Sequence, residues 1–238
     1  MKRWFGKTIN EEFTAFSTDH VIMLGICVAG LLLLVLNARI IRESDTVYTL
    51  LRWSLLGVLI ISEVSYQTWA AVNGVWNVGA HLPLHLCGIA SLFGMAALIT
   101  RHYKLIQLTL FIGIIPSFMA LLTPEIPYNY EHFRYWKFFI HHMAIPWTSV
   151  FLLVTSSVKV SWKNALEAYG YLVAYSILVS LYNVYFGSNY LYLAETPLAD
   201  TPLDLLGGGV LYYLNLGILA LLSFFLTYGL YHMVLKKV

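Results

Sequence analysis

Seven runs of predominantly apolar residues, each close to the length one helix needs to cross a bilayer, constrain this chain more than any other feature. A hydrocarbon core about 30 Å thick takes roughly 20 such residues at 1.5 Å of rise per residue. The runs extend from Asp19 to Asn37, Leu51 to Val72, Leu82 to Thr100, Leu105 to Leu122, Phe138 to Val158, Leu166 to Gly187 and Gly209 to Val234. In lipid every backbone polar group must find an internal partner, which helices of this length provide. The expected architecture is therefore all-α, a polytopic membrane helix bundle with seven transmembrane helices. Only 11% of the 238 residues are charged, against roughly a quarter in soluble domains, which leaves too little for a solvated surface, a coiled coil or a disordered tail. The net charge of +2 carries no basic block, so nucleic acid is not an expected partner. Membrane lipid is. No fixed-period repeat or long linker divides residues 1–238, and a single seven-helix transmembrane domain is the economical reading.

The first run is kept as a helix rather than a cleaved signal, because residues 1–18 are polar and no small-residue cleavage pattern follows. Lys and Arg in the loops set the orientation. Lys2, Arg3, Lys7, Arg134 and Lys137 fall on one side; Arg39, Arg42, Arg52, Arg101, Lys104, Lys159, Lys163, Lys236 and Lys237 fall on the other. That predicts a multi-pass protein of the plasma membrane with its N-terminus outside and its C-terminus cytoplasmic. Segments 73–81, 123–135 and 188–208 then face outward.

Those segments border the residues that lipid tolerates least. Glu63 lies about nine residues, or about 14 Å, inside the second span. A charge at such depth costs at least about 2.5–3.5 kcal/mol, so it faces the bundle interior, finds a partner or stays protonated. Gln67 follows one turn later with Tyr66 beside it, giving this helix one polar stripe. The stripe suits either a site or interhelical glue. His81-Leu82-Pro83-Leu84-His85-Leu86-Cys87 opens the third run. Pro83 fits a first helical turn, which predicts Cys87 about one turn below the boundary. His81 and His85 have the i, i+4 spacing of two metal ligands, while Cys87 points about 200° from His85 on an ideal helix. Cys27, among aliphatics, reads as a small buried hydrophobe. Two cysteines make neither a disulfide framework nor a four-thiolate metal site.

His141 and His142 enter the fifth run at the same depth as Cys87. They diverge by about 100°, so at most one of them faces a given neighbour squarely. A thiol becomes a nucleophile when an imidazole in reach takes its proton. Ser176, Ser180, Asn183 and Gly187 form one small, polar face of the sixth run, which makes Asn183 a packing donor or a pocket wall. Asn189 and Tyr190 begin a long patterned segment through Glu195, Asp200 and Asp204 to Gly207-Gly208-Gly209, a candidate lid. Pro116 and Pro146 predict kinks.

Three stretches together resemble the YwaF-like family of bacterial integral membrane proteins: Leu82-Pro83-Leu84-His85-Leu86-Cys87, Phe133 to His142 ending in Phe-Phe-Ile-His-His, and Asn183 through Gly187-Ser188-Asn189-Tyr190-Leu191-Tyr192-Leu193 to Pro197. That family is similar to eukaryotic membrane acyltransferases that remodel phospholipids through a cysteine and a histidine. The resemblance implies a multi-helix bundle, with Cys87 as the acyl-accepting thiol and His142 as its base. Gly207-Gly208-Gly209 departs from the family's Gly-Pro-Trp-Pro-like pattern.

Three functions are consistent with these residues. The first is a lipid acyltransferase without cofactor, with Cys87 and His142 catalytic, oxyanion donors drawn from Asn183, His85 or Gln67, and Glu63 either orienting an imidazole or staying neutral as a donor. The second is a zinc-dependent lipid hydrolase with ligands His81, His85 and His141 or His142, and Glu63 as base. The third is a transporter or receptor whose polar cavity is lined by Glu63, Gln67 and Asn183.

Overall fold

The computed structural model describes residues 2–8, 12–197 and 201–234; Asp200, Lys236 and Lys237 lie outside them. Its helices are α1 (Lys2–Phe5), α2 (Thr18–Leu36), α3 (Ala38–Glu43), α4 (Asp45–Val72), α5 (Leu86–Thr100), α6 (Tyr103–Leu122), α7 (Phe133–Val154), α8 (Trp162–Phe186) and α9 (Gly209–Met233), with 3₁₀ turns at Tyr190–Tyr192 and Pro202–Leu206. Polar residues mark several boundaries. Ser44 accepts from the Val47 N–H at the start of α4, and Ser161 and Asn164 form a reciprocal capping box at the start of α8. At the other ends, Gly187 closes α8 with φ +60°, and Arg101 closes α5 with φ +58° before the chain turns into α6.

Among the described residues six helices, α2, α4, α6, α7, α8 and α9, are long and apolar enough to cross a membrane. The expected seventh is shorter. α5 has 15 residues, about 22 Å of helix, which falls short of a full hydrocarbon core. Pro83 does not occupy its first turn as expected. Residues 81–85 form a separate turn, with the Leu84 N–H on the Leu82 carbonyl at 2.8 Å, and α5 begins only after His85. Gly88 explains the fold-back: a Cβ there would stand 2.6 Å from the Pro83 carbonyl oxygen. The residue before a proline resists helix, so the turn and the glycine together delay the start. The fifth run departs in the opposite sense, since α7 starts at Phe133 rather than Phe138. Its His132 cap accepts from the Arg134 N–H, and the earlier start draws Arg134 and Lys137 out of the loop into the helix.

The bundle is built around α6 and α7. In α7, 72% of the apolar stretch is buried, against 11% in α9, so the peripheral helices turn most of their surface to lipid. α5, α6 and α7 pack on one another through small residues. A Cβ on Gly113 would meet Ser149 Oγ at 2.9 Å, and the same hydroxyl donates toward the carbonyls of Thr109 and Ile145 at 3.1 Å each. Close backbone approach of this kind is how membrane helices associate without a hydrophobic drive. Pro116 and Pro146 sit inside helices that continue through them.

The end of the bundle that holds the α4–α5 connection also holds the N-terminal segment. The Phe5 carbonyl accepts from Trp69 Nε1 at 2.7 Å and Asn73 Nδ2 at 3.1 Å, and the Gly6 carbonyl from His132 Nε2 at 2.7 Å. At the opposite end, arginines close helix termini. Arg52 donates to the carbonyls of Leu98 at 2.6 Å and Ile99 at 2.9 Å, Arg42 to Val154 at 3.1 Å, and Arg101 to Thr155 at 2.7 Å.

Candidate functional site

Cys87 is the second residue of α5 and is partly exposed. The N–H groups of a helix's first turn have no helical acceptor, so a thiolate formed at this position faces the positive end of α5. The buried Ser117 hydroxyl of α6 adjoins the sulfur and has no well-formed hydrogen bond elsewhere. α5 packs against α7 as well as α6, which makes the helices of Cys87 and of His141 and His142 neighbours. Lys137 links them. It lies within electrostatic reach of Cys87, Glu63, His141 and His142, and its Nζ is 4.5 Å from the centre of the Tyr66 ring. Glu63 therefore has a cation at its own depth, and its Oε1 accepts from Gln67 Nε2 at 2.7 Å. Assigned to a loop, Lys137 escapes a sequence reading. The signal for it is its spacing, one helical turn before His141 and His142.

The two histidines of α7 differ in what their ring nitrogens meet. His142 Nδ1 is 2.8 Å from the Phe138 carbonyl. A carbonyl only accepts, so Nδ1 carries the proton and Nε2 presents a lone pair. The ring is further held against Phe138, with centroids 4.1 Å apart. His141 is buried, meets His142 edge-on at 5.5 Å and has no hydrogen-bond partner for Nδ1. Of the two, His142 is the one pre-set as a base.

His85 joins the cluster from the turn before α5. Its Nδ1 faces the Leu191 N–H at 3.4 Å, which leaves Nε2 as the protonated nitrogen. Tyr190 and Tyr192 flank its ring, each at 5.1 Å. Burial holds the His85 imidazole below its ordinary pKa, partly opposed by the Glu125 carboxylate, so the ring is neutral near pH 7. Glu125 in turn accepts from the Tyr192 hydroxyl. His85 is within electrostatic reach of His142, and Tyr192 within reach of Cys87. A thiol, a proton-accepting imidazole, a proton-bearing imidazole and an ammonium thus form one electrostatically linked cluster.

Other candidate residues spend their hydrogen bonds on the scaffold. Gln67 donates to Glu63 and to the His81 carbonyl at 2.6 Å, and accepts from Trp76 Nε1 at 2.7 Å. Asn183 is 5% exposed. It donates to the Tyr190 carbonyl at 2.8 Å and accepts from Ser188 Oγ at 2.8 Å and the Tyr190 N–H at 3.0 Å. Tyr190, fully buried, donates its hydroxyl to the Val78 carbonyl at 2.8 Å and accepts from the Leu82 N–H at 2.9 Å. Asn189 closes its own loop, accepting from the N–H groups of Ala194 and Glu195 and donating to the Glu195 carbonyl. These four hold the scaffold around that cluster; of the three expected oxyanion donors, Gln67 has both amide N–H groups committed, Asn183 has one of its two, and the His85 Nε2–H has no acceptor among the described residues. His81 turns aside to stack on Tyr66 at 5.5 Å, with Nδ1 facing the Asn77 N–H. Among the described residues no three His, Cys, Asp or Glu side chains are grouped as a metal ion requires.

No curated protein and no solved structure matches the chain. A family of transmembrane proteins does, over residues 15–228, a span that contains every helix described except α1 and the last turn of α9. By that match the chain belongs to the TMEM164 family.

Proposed function

We propose that this protein is an integral-membrane lipid acyltransferase with Cys87 as nucleophile and His142 as base, working on phospholipid that enters between helices. The observation that carries the reading is the tautomer of His142, whose Nδ1–H is tied to the Phe138 carbonyl and whose Nε2 is left bare, in the helix beside that of Cys87. The resemblance to the YwaF-like family, and through it to cysteine and histidine acyltransferases, points the same way. In the first half-reaction His142 Nε2 takes the thiol proton and the sulfur attacks the ester carbonyl of a donor phospholipid. The C–O bond breaks, His142 returns the proton to the departing lysolipid oxygen, and an acyl thioester remains on Cys87. In the second, an acceptor lysolipid hydroxyl gives its proton to His142 and attacks the thioester, and the thiol is restored. His85 Nε2–H and the Lys137 ammonium are the donors available to the oxyanion formed in each half.

The zinc hydrolase reading loses support because His81 turns aside onto Tyr66 and, among the described residues, no three His, Cys, Asp or Glu side chains are grouped as a metal ion requires. The transporter reading loses support because Gln67 and Asn183 are occupied within the scaffold. Incubation of the purified protein with a phospholipid bearing a labelled acyl chain, followed by intact-mass measurement, tests the proposal. A hydroxylamine-labile acyl adduct on Cys87, absent in Cys87→Ala, is the expected result. Acyl transfer that persists in Cys87→Ala overturns it.

A further inference from the structure

The end of the bundle away from Cys87 holds a groove of about 570 Å³ between the α5–α6 turn and the segment joining α7 to α8. Arg101 and Lys159 line it together with Gln107, Thr155, Ser156 and Ser157, and no carboxylate does. Both cations have capacity to spare. Arg101 gives one N–H to the Thr155 carbonyl and one to the Tyr48 hydroxyl, two of the five a guanidinium carries. Lys159 is exposed and is in no ion pair among the described residues, where the carboxylates of Glu43 and Glu167 pair with Arg39 and Lys104.

Gln107 adds an independent requirement. It is 7% exposed, its Nε2 donates to the Lys159 carbonyl at 2.9 Å, and its buried Oε1 has no donor among the described residues. The amide cannot turn over to correct this, since only its NH₂ can donate to that carbonyl. A buried acceptor without a partner is costly unless something outside the chain supplies the donor. The groove therefore calls for one ligand with an anion for the cations and an N–H or O–H for Gln107.

We infer that this groove binds a phosphate ester whose alcohol carries a hydrogen-bond donor, supplied by a phospholipid headgroup of the glycerol or ethanolamine type. The phosphate lies between Arg101 and Lys159, and the glycerol hydroxyl or the ammonium donates to Gln107 Oε1. Its place at the helix ends is the level of lipid headgroups, where basic hollows between membrane helices take anionic lipids. The site lies at the opposite end from Cys87 and stands or falls apart from the acyl chemistry.

Binding to the detergent-solubilised full chain tests it, read by native mass spectrometry with short-chain phosphatidylglycerol, phosphatidic acid, phosphatidylcholine and glycerol 3-phosphate as probes. Phosphatidylglycerol is expected to bind at least tenfold more tightly than phosphatidylcholine. Lys159→Glu, an exposed substitution, should weaken phosphatidylglycerol and phosphatidic acid alike by tenfold or more without lowering the melting temperature. Gln107→Met should remove the preference for phosphatidylglycerol over phosphatidic acid. Equal binding of glycerol 3-phosphate and phosphatidylglycerol, both lost in Lys159→Glu, supports the groove with a soluble ester as the source. Phosphatidylglycerol binding that neither substitution changes overturns it.

Discussion

The two ends of this bundle use their cations in opposite ways. At the far end Arg42, Arg52 and Arg101 point at the carbonyls that end α5 and α7, and each contact replaces a hydrogen bond that a helix terminus lacks. At the Cys87 end Arg134 and Lys137 lie over aromatic faces instead, Arg134 at 4.5 Å from the Tyr66 ring and 4.7 Å from that of Trp69, and Lys137 at 4.5 Å from Tyr66. A ring face holds a cation without taking all of its donors, so the Lys137 ammonium retains N–H groups for another acceptor. The far end is built to hold helices, and the near end keeps donors and a base uncommitted. Substitutions of the uncommitted base and donors at the near end should therefore remove activity more than stability, and substitutions of the arginines at the far end the reverse.

The largest expected effect is at His142. His142→Gln should lower acyl turnover about 10²- to 10⁴-fold, the range of a lost general base, with the melting temperature nearly unchanged. A similar fall in both would erase the contrast between the ends. Lys137→Met should cost about 10²- to 10³-fold in turnover, the scale of a missing oxyanion donor, and should also lower stability because Glu63 loses its cation. A Lys137→Met protein that turns over normally would reduce Lys137 to a partner for Glu63.

Stability effects come next. Asn183→Ala deprives the Tyr190 N–H and carbonyl of their partner and should cost about 1–3 kcal/mol for each buried group left unpaired, seen as a lowered melting temperature and faster proteolysis near Ser188. At the far end, Arg52→Met should cost about 1–3 kcal/mol by the same reasoning, with turnover per folded molecule unchanged.

The smallest effect is acid sensitivity. His81, His85 and His132 are all held below their ordinary pKa, burial being the main cause in each, and all three belong to the Cys87 end. The folded state favours their neutral forms, so the unfolded chain takes up protons first as pH falls through about 6.5. Stability should decline from there down to the folded-state values and be regained on raising the pH. Hydrogen exchange at acid pH should rise first around residues 73–85 and 128–135; a uniform rise would remove this difference between the ends.

Much of the bundle was legible before any coordinate, because a run of apolar residues bounded by polar ones is a length measurement, and length decides what spans a bilayer. Six of the seven expected spans coincide with long helices to within a few residues at most ends. The third failed at its start for a specific reason. Proline is as compatible with the turn before a helix as with its first turn, and the choice between them rests on Gly88 lying against the backbone of Pro83. Lys137 was hidden because a charge beside an apolar run reads as the edge of a span; His132 capping α7 five residues earlier carries it inward. Gln67, Asn183 and Asn189 were legible as polar residues in an apolar setting, but not as scaffold, since nothing local tells whether an amide's partners belong to the chain or to a ligand.

Composition and periodicity thus settled the solvent this chain lives in, the number and length of its apolar runs and the few polar residues that need a reason, since those are properties of segments taken one at a time. Which imidazole is a bare base, which amides are already occupied and which lysine stands beside the thiol depend on distances across α4, α5, α6 and α7. Those distances exist only once Gly94, Gly113 and Ser149 let three helices close on one another, because hydrogen bonds and charges act over a few ångströms of space and not along the chain.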